Sequence, residues 1–109
     1  SWRLRAVDER IADPSATYPT AAELARLCRL SVRQFSRAFR ASRGCSIGSH
    51  LAQARIEAAK RRLFTKESIT QIAAALGYSS QSSFSASFRR STGTTPGLFR
   101  KQSSLGRRY

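Results

Sequence analysis

Two cysteines, one histidine and no methionine are all the sulfur and imidazole that this 109-residue sequence offers. Cys28 and Cys45 do not form a CxxC pair, and His50 stands alone. That excludes the usual ligand spacings of a metal site and leaves no base beside either thiol to activate it. Both cysteines are expected as small apolar residues, buried or half-buried, and no cofactor is implied. Two cysteines make no disulfide framework, which fits a reducing cytoplasm. No apolar run approaches the ~18 residues needed to cross a membrane. The N-terminal stretch SWRLRAVDERIADP contains acids and lacks an apolar block, so it reads as an amphipathic helix and not as a signal peptide. The absence of methionine fits a domain cut from a longer protein.

Acids are scarce as well. Six Asp and Glu face twenty Lys and Arg, a formal net charge of +14. Such an excess repels itself in a folded chain and calls for an anionic partner, nucleic acid first and an acidic membrane surface second. The charge is not a tail: residues 1–46 carry nine arginines against four acids, and residues 47–109 carry eleven basic residues against two. Arginine outnumbers lysine 17 to 3, which suits bidentate recognition of phosphate and guanine. At 40% hydrophobic residues the chain can build a core, as one compact domain or two small ones sharing a linker.

The most informative feature is an internal repeat. Phe35, Ser36, Phe39, Arg40, Ser42 and Gly44 recur as Phe84, Ser85, Phe88, Arg89, Ser91 and Gly93 at an offset of 49, and Gly48 and Gly97 continue the match. Upstream, the segment Leu24-Ala25-x-x-Cys28-x-Leu30-Ser31 aligns with Ile72-Ala73-x-x-Leu76-x-Tyr78-Ser79 at an offset of 48. The second copy therefore carries one extra residue just before its FSxxF segment. Two matches in the same order imply two copies of one structural unit.

Each copy reads as helix, tight turn, helix. Thr20 is an N-cap residue with Glu23 at the third helical position. Leu24, Leu27 and Cys28 then share a face. Arg29-Leu30-Ser31 forms the turn, and Ser31 caps a helix over 32–43 that Gly44 ends. In the second copy Ser68 caps a helix carrying Ile69, Ile72, Ala73 and Leu76, and Gly77 supplies the turn. Ser79 or Ser80 caps a helix over 80–91 that Gly93 ends. A flanking helix over about 2–12 precedes the first copy, with Pro14 and Pro19 framing the loop after it. A short helix over about 96–101, started by Pro96, follows the second. Between the copies, residues 47–64 are spaced for one helix, with Leu51, Arg55, Ile56, Ala59 and Leu63 on one side. The expectation is an all-α fold of seven helices: a first helix-turn-helix subdomain over 1–46, a long linker helix over 47–64 and a second subdomain over 65–109.

Helical geometry divides the chemistry. On helix 32–43, Val32, Phe35, Ala38, Phe39 and Ser42 cluster on one face. Arg33, Arg37 and Arg40 face away, with Gln34, Ser36 and Ala41 at the margins. Three arginines on the exposed face of the second helix of such a pair are what a major-groove reader needs: Arg pairs bidentately with guanine, Gln with adenine. The matching face of helix 80–91 presents Ser82, Ala86 and Arg89, flanked by Gln81, Ser83, Ser85 and Arg90. Its side chains are shorter, and Arg89 and Arg90 sit toward the end suited to phosphate. The first unit is therefore expected to supply most direct readout. A linker helix of ~27 Å, with successive major-groove faces ~34 Å apart, lets one chain place both reading helices in adjacent grooves. Such a chain binds as a monomer to an asymmetric site.

At this point the sequence resembles the AraC/XylS family of bacterial transcription regulators, over roughly Ala6 to Arg100. The resemblance rests on Arg55-Ile56-x-x-Ala59-Lys60-x-x-Leu63, then Ile69-x-x-Ile72-Ala73-x-x-x-Gly77-Tyr78, then Ser83-Phe84-x-x-x-Phe88-Arg89, then Gly93-x-x-Pro96 and Phe99-Arg100. It implies two helix-turn-helix subdomains, with base contacts from Arg33, Ser36 and Arg37 and from Gln81, Ser82, Ser85 and Ala86. It implies double-stranded promoter or operator DNA as the partner, with RNA polymerase a second one for an activator. The family often has Arg where this chain has Ala86, Pro where it has Ile47 and an aromatic where it has His50. His50 is expected to pack and not to act as a pH switch. Family members usually carry a separate ligand-binding or dimerisation domain, so this chain reads first as an excised C-terminal domain and second as one of the family's short stand-alone members.

Two rival readings stand beside this one. A non-specific basic or architectural nucleic-acid binder fits the charge equally well, but has no need of two capped helix-turn-helix units. An alkyl-transfer repair enzyme, whose relatives share the domain, needs an activated Cys or a four-Cys zinc site, and the sequence provides neither.

Overall fold

Almost every helix begins where the sequence offers a hydroxyl. In the computed structural model, which describes residues 2–13 and 17–106, the helices are α1 (Trp2–Ala12), α2 (Ala21–Leu27), α3 (Val32–Arg43), α4 (Ile47–Arg62), α5 (Ile69–Ala75), α6 (Gln81–Thr92) and α7 (Pro96–Gly106). Thr20, Ser31, Ser68 and Ser80 accept from the backbone N–H groups of Glu23, Gln34, Gln71 and Ser83. Ser46 and Thr95 do the same for Ser49 and Leu98 at the starts of α4 and α7. Each such cap satisfies an otherwise orphaned donor and contributes about 1 kcal/mol. No strand occurs among the described residues. The all-α architecture of seven helices agrees with the sequence expectation.

The chain folds as two compact units, Ser1–Ala54 and Arg55–Tyr109. In the first, Leu4 and Val7 of α1, Leu24, Ala25 and Cys28, Phe35 and Phe39 of α3, and Ile47 and Leu51 of α4 form one core. In the second, Ile56, Ala59, Leu63, Ile72, Ala73, Leu76, Phe84 and Phe88 are buried. The first half of α4 thus serves one core and the second half the other. The repeat is structural: Phe35 and Phe39 lie 6.0 Å apart between ring centroids, Phe84 and Phe88 5.9 Å. Each is an i, i+4 pair that pins its helix to the helix before it.

Four expectations shift. Leu27 and Val32 were placed on apolar faces but are 46% and 47% exposed. In so short a hairpin the α2 and α3 cores narrow to Leu24, Ala25, Cys28 and the two phenylalanines, and Ala38 and Ser42 stay exposed too. The linker helix ends at Arg62, two residues early, because the Thr65 hydroxyl donates to the Arg62 carbonyl at 2.6 Å and turns the chain toward Ser68. The final helix runs on to Gly106, the next helix-breaking residue after Gly97. The second reading helix spans 81–92, since Ser80 is its cap and Ser79 is the extra residue of the turn. Pro19 is buried; Pro14 lies outside the described residues.

Candidate nucleic-acid interface

The reading helices are aimed by the turns in front of them. After α2, the Leu30 N–H donates to the Ala25 carbonyl at 3.0 Å and the Arg29 N–H to the Arg26 carbonyl at 3.0 Å. After α5, Tyr78 and Gly77 repeat this toward Ala73 and Ala74 at 3.0 and 3.1 Å. Both are Schellman turns, which need a left-handed residue just past the helix. Gly77 supplies it at φ 84°, and Arg29 adopts it at φ 58°. In unit 1, Ser31 and Gln34 then close a full capping box at the start of α3. In unit 2 the third helical position is Ser83, too short to reach back, and Ser80 caps alone.

Further contacts hold each helix within its unit. Tyr18 donates to the Leu51 carbonyl at 3.2 Å, and the His50 ring packs on Phe39 at 5.1 Å, so His50 has a packing role. In unit 2 the Arg55 guanidinium lies 4.9 Å over the Tyr78 ring, whose hydroxyl shares a 3.2 Å hydrogen bond with Ser87 of α6. Arg100 donates to the Leu63 carbonyl at 3.0 Å.

Arg33, Gln34, Arg37 and Arg40 are all exposed on α3, and Ser36 is half-buried at its edge. On α6, Gln81, Ser82, Ala86, Arg89 and Arg90 are exposed and Ser85 is half-buried. Every sequence-predicted site residue therefore reaches the surface of its reading helix. Two are already engaged. The Gln34 oxygen accepts from the Ser31 N–H at 3.0 Å, and the Gln81 oxygen accepts from the Thr70 hydroxyl at 2.6 Å. The sequence reading passed over Thr70, eleven residues away on another helix, where no periodicity points to it.

Charge is sorted across these surfaces. All six acids lie on α1, α2, α4 or the loops after α1 and α4; none lies on α3, α6 or α7. Four of them bind cations: Asp8 with Arg43 at 2.7 Å, Glu23 with Arg10 at 2.7 Å, Glu57 with Lys60 at 3.3 Å and Glu67 with Arg62 at 2.8 Å. The hydrogen bond to Asp8 pushes the Arg43 guanidinium above its ordinary value, and Arg43 also lies 5.7 Å over the Phe39 ring. Arg33, Arg37, Arg40, Arg89 and Arg90 have no such partner among the described residues. Exposed, unneutralised guanidinium groups on a helix face can bind phosphate oxygens or pair with guanine edges.

Both cysteines are free thiols, and Cys45 is half-buried. Cys28 is buried, its Sγ 3.7 Å from the Arg3 carbonyl, and burial pushes the thiol up and away from the reactive thiolate. Among the described residues no group of three His, Cys, Asp or Glu is placed to hold a metal ion.

Comparison with known proteins agrees with this architecture. The family described as "Helix-turn-helix domain" matches residues 24–102, more than two-thirds of the chain. The transcriptional activator NphR of a Rhodococcus species is 32% identical over 99 residues, covering 90% of this chain and 28% of NphR. The bifunctional transcriptional activator/DNA repair enzyme AdaA of Bacillus subtilis is 32% identical over 91 residues, covering 83% of this chain and 43% of AdaA. The chain thus spans less than half the length of either relative. The DNA-binding domain of AdpA, solved in complex with a target DNA, shares the fold with a TM-score of 0.82 at 24% identity, covering 96% of this chain and 95% of that one. Two capped helix-turn-helix units, the matched family and relatives that are themselves transcription regulators lead to one conclusion: the chain belongs to the AraC-type helix-turn-helix family.

Proposed function

We propose that this chain is the DNA-reading part of a transcription regulator. It binds double-stranded DNA sequence-specifically, with α3 and α6 docked in neighbouring major grooves. The observation that carries the reading is the sorting of charge. Four of the six acids bind cations, one of them Arg43 at the end of α3, while Arg33, Arg37, Arg40, Arg89 and Arg90 have no ion-pair partner among the described residues. A chain that only had to neutralise phosphate gains nothing from keeping every acid off the second helix of each pair while placing arginines there.

The roles divide by side chain. Arg33 and Arg37, supported by Ser36, read bases in the first groove, while Arg40 and Gln34 hold the edge. In the second unit Gln81, Ser82, Ser85 and Ala86 face the bases, and Arg89 and Arg90 bind backbone phosphate. The DNA complex of the AdpA domain and the names of NphR and AdaA favour this reading. A monomeric domain, a cytoplasmic setting and, for an activator, contact with RNA polymerase belong to the same proposal. No bond-making step is assigned to the chain.

The test is selection from a randomised duplex library at near-physiological salt. Enrichment of one asymmetric site two grooves long is the expected outcome. A site one groove long removes α6 from base reading. No enrichment, with binding that vanishes as salt rises, leaves a non-specific binder and overturns the proposal.

A further inference from the structure

The second reading helix is poor in side chains long enough to discriminate bases. Ser82, Ser83 and Ala86 are exposed but short, so Gln81 is the long polar side chain at the N-terminal end of α6. A free glutamine amide reads adenine by using both its atoms: the oxygen accepts from N6 and the nitrogen donates to N7. Gln81 is not free. Its oxygen accepts from the hydroxyl of Thr70, the second residue of α5, at 2.6 Å. That length is typical of O–H···O and shorter than the usual N–H···O, which identifies the amide oxygen as the atom facing Thr70. The group left to face outward is the NH2, which only donates. Along the major-groove edge it can donate to O6 and N7 of guanine, to O4 of thymine and to N7 of adenine, but beside adenine N7 stands the N6 amino donor, which the held oxygen is no longer aimed to receive.

We propose that Thr70 is a positioning residue that sets the base preference of the second unit. By holding the Gln81 oxygen, it makes α6 select guanine or thymine over adenine at one base position. The inference rests on the reading that α6 faces a major groove. Thr70 acts through Gln81 and touches no DNA. Gln34 of α3 shows the same principle in another form, its oxygen being held by the Ser31 N–H within the capping box. There the holder is backbone and cannot be changed without losing the helix cap. Thr70 is an exposed side chain that can be varied alone.

The experiment compares base preferences selected by the 109-residue chain and three variants from one randomised duplex library. An enriched site for the unsubstituted chain tests the DNA-reading proposal by itself; failure there overturns that proposal and this inference together. Given a site, Gln81→Ala identifies the position that Gln81 reads by flattening it alone. Guanine or thymine is expected there. Thr70→Val removes the hydroxyl at nearly constant volume. It is expected to raise adenine at that one position on the order of tenfold, as a released amide gains its bidentate contact. Thr70→Ser keeps the hydroxyl and the original preference. A general disturbance of α5 would instead weaken every position alike. The inference is overturned if the position prefers adenine from the start, if Gln81→Ala flattens nothing, or if Thr70→Val leaves the preference as it was.

Discussion

Arg29 is the non-glycine residue of positive φ among the described residues, and its backbone can be relaxed by one substitution. It stands where Gly77 stands in the second copy, makes the same Schellman turn, and has no side-chain partner among the described residues. Holding an L-residue in the left-handed region costs about 1–2 kcal/mol. Replacing it with glycine removes that cost but frees the unfolded backbone, returning about 0.5–1 kcal/mol. Arg29→Gly should therefore stabilise unit 1 by about 0.5–1 kcal/mol, a rise in Tm of roughly 3–6 °C for a unit of this size. Arg29→Ala keeps the strain and removes the side chain, so it should stay within about 0.5 kcal/mol of the parent. Gly77→Arg, the mirror experiment, should lower the stability of unit 2 by about 1 kcal/mol. Scanning calorimetry reads all three, and if the units melt separately only the substituted one moves. Equal Tm values for the Gly and Ala variants, or a Gly variant below the parent, would refute the strain argument.

The functional predictions separate bases from phosphates. Arg37→Ala should cost about 1–3 kcal/mol on the selected site and relax preference at one base step; an equal loss on random duplex removes Arg37 from base reading. Arg90→Ala should weaken all sequences alike and flatten the slope of log K against log salt by about one unit, measured by anisotropy titration. Ala86 occupies the repeat position of Arg37, so Ala86→Arg should tighten binding and steepen the salt slope by about one unit, with a new base preference in competition assays. Burial raises the Cys28 thiol, so on raising the pH the unfolded chain ionises this group before the folded one does. Stability due to Cys28 is full below the ordinary thiol range and falls as pH climbs through and above it. Urea midpoints measured across that range should decline more steeply for the parent than for Cys28→Ala.

Local chemistry was the legible part of this fold. Thr20, Ser31 and Ser68 cap helices because a short hydroxyl before an amphipathic run acts within three residues, and no tertiary contact is needed to see it. The two Phe pairs and the charged faces of α3 and α6 followed from helical spacing. Left-handed Arg29 was foreshadowed by its alignment with Gly77. Exposure of Leu27 and Val32 was not legible, because periodicity says which residues share a face but not how wide a strip the neighbouring helices cover. The Asp8–Arg43 pair spans 35 residues and the Thr70–Gln81 bond eleven, so both depend on helix packing. Sequence spacing named Gln34 and Gln81 as readers; only the structure shows their oxygens already in use.

The separation of acids from free arginines also bears on how fast this protein meets a charged rod. The first unit pairs a scaffold of five arginines and four acids with a reading helix of four arginines and no acid, and so carries an electric moment as well as a net charge. In the field of a polyanion, net charge draws a molecule in, but only the moment exerts a torque. That torque turns α3 toward the duplex before contact and raises the fraction of collisions that arrive in a productive orientation. Neutralising Asp8 or Glu23 would add to the attraction and subtract from the guidance. A more basic protein made in that way would stick more readily and dock less well.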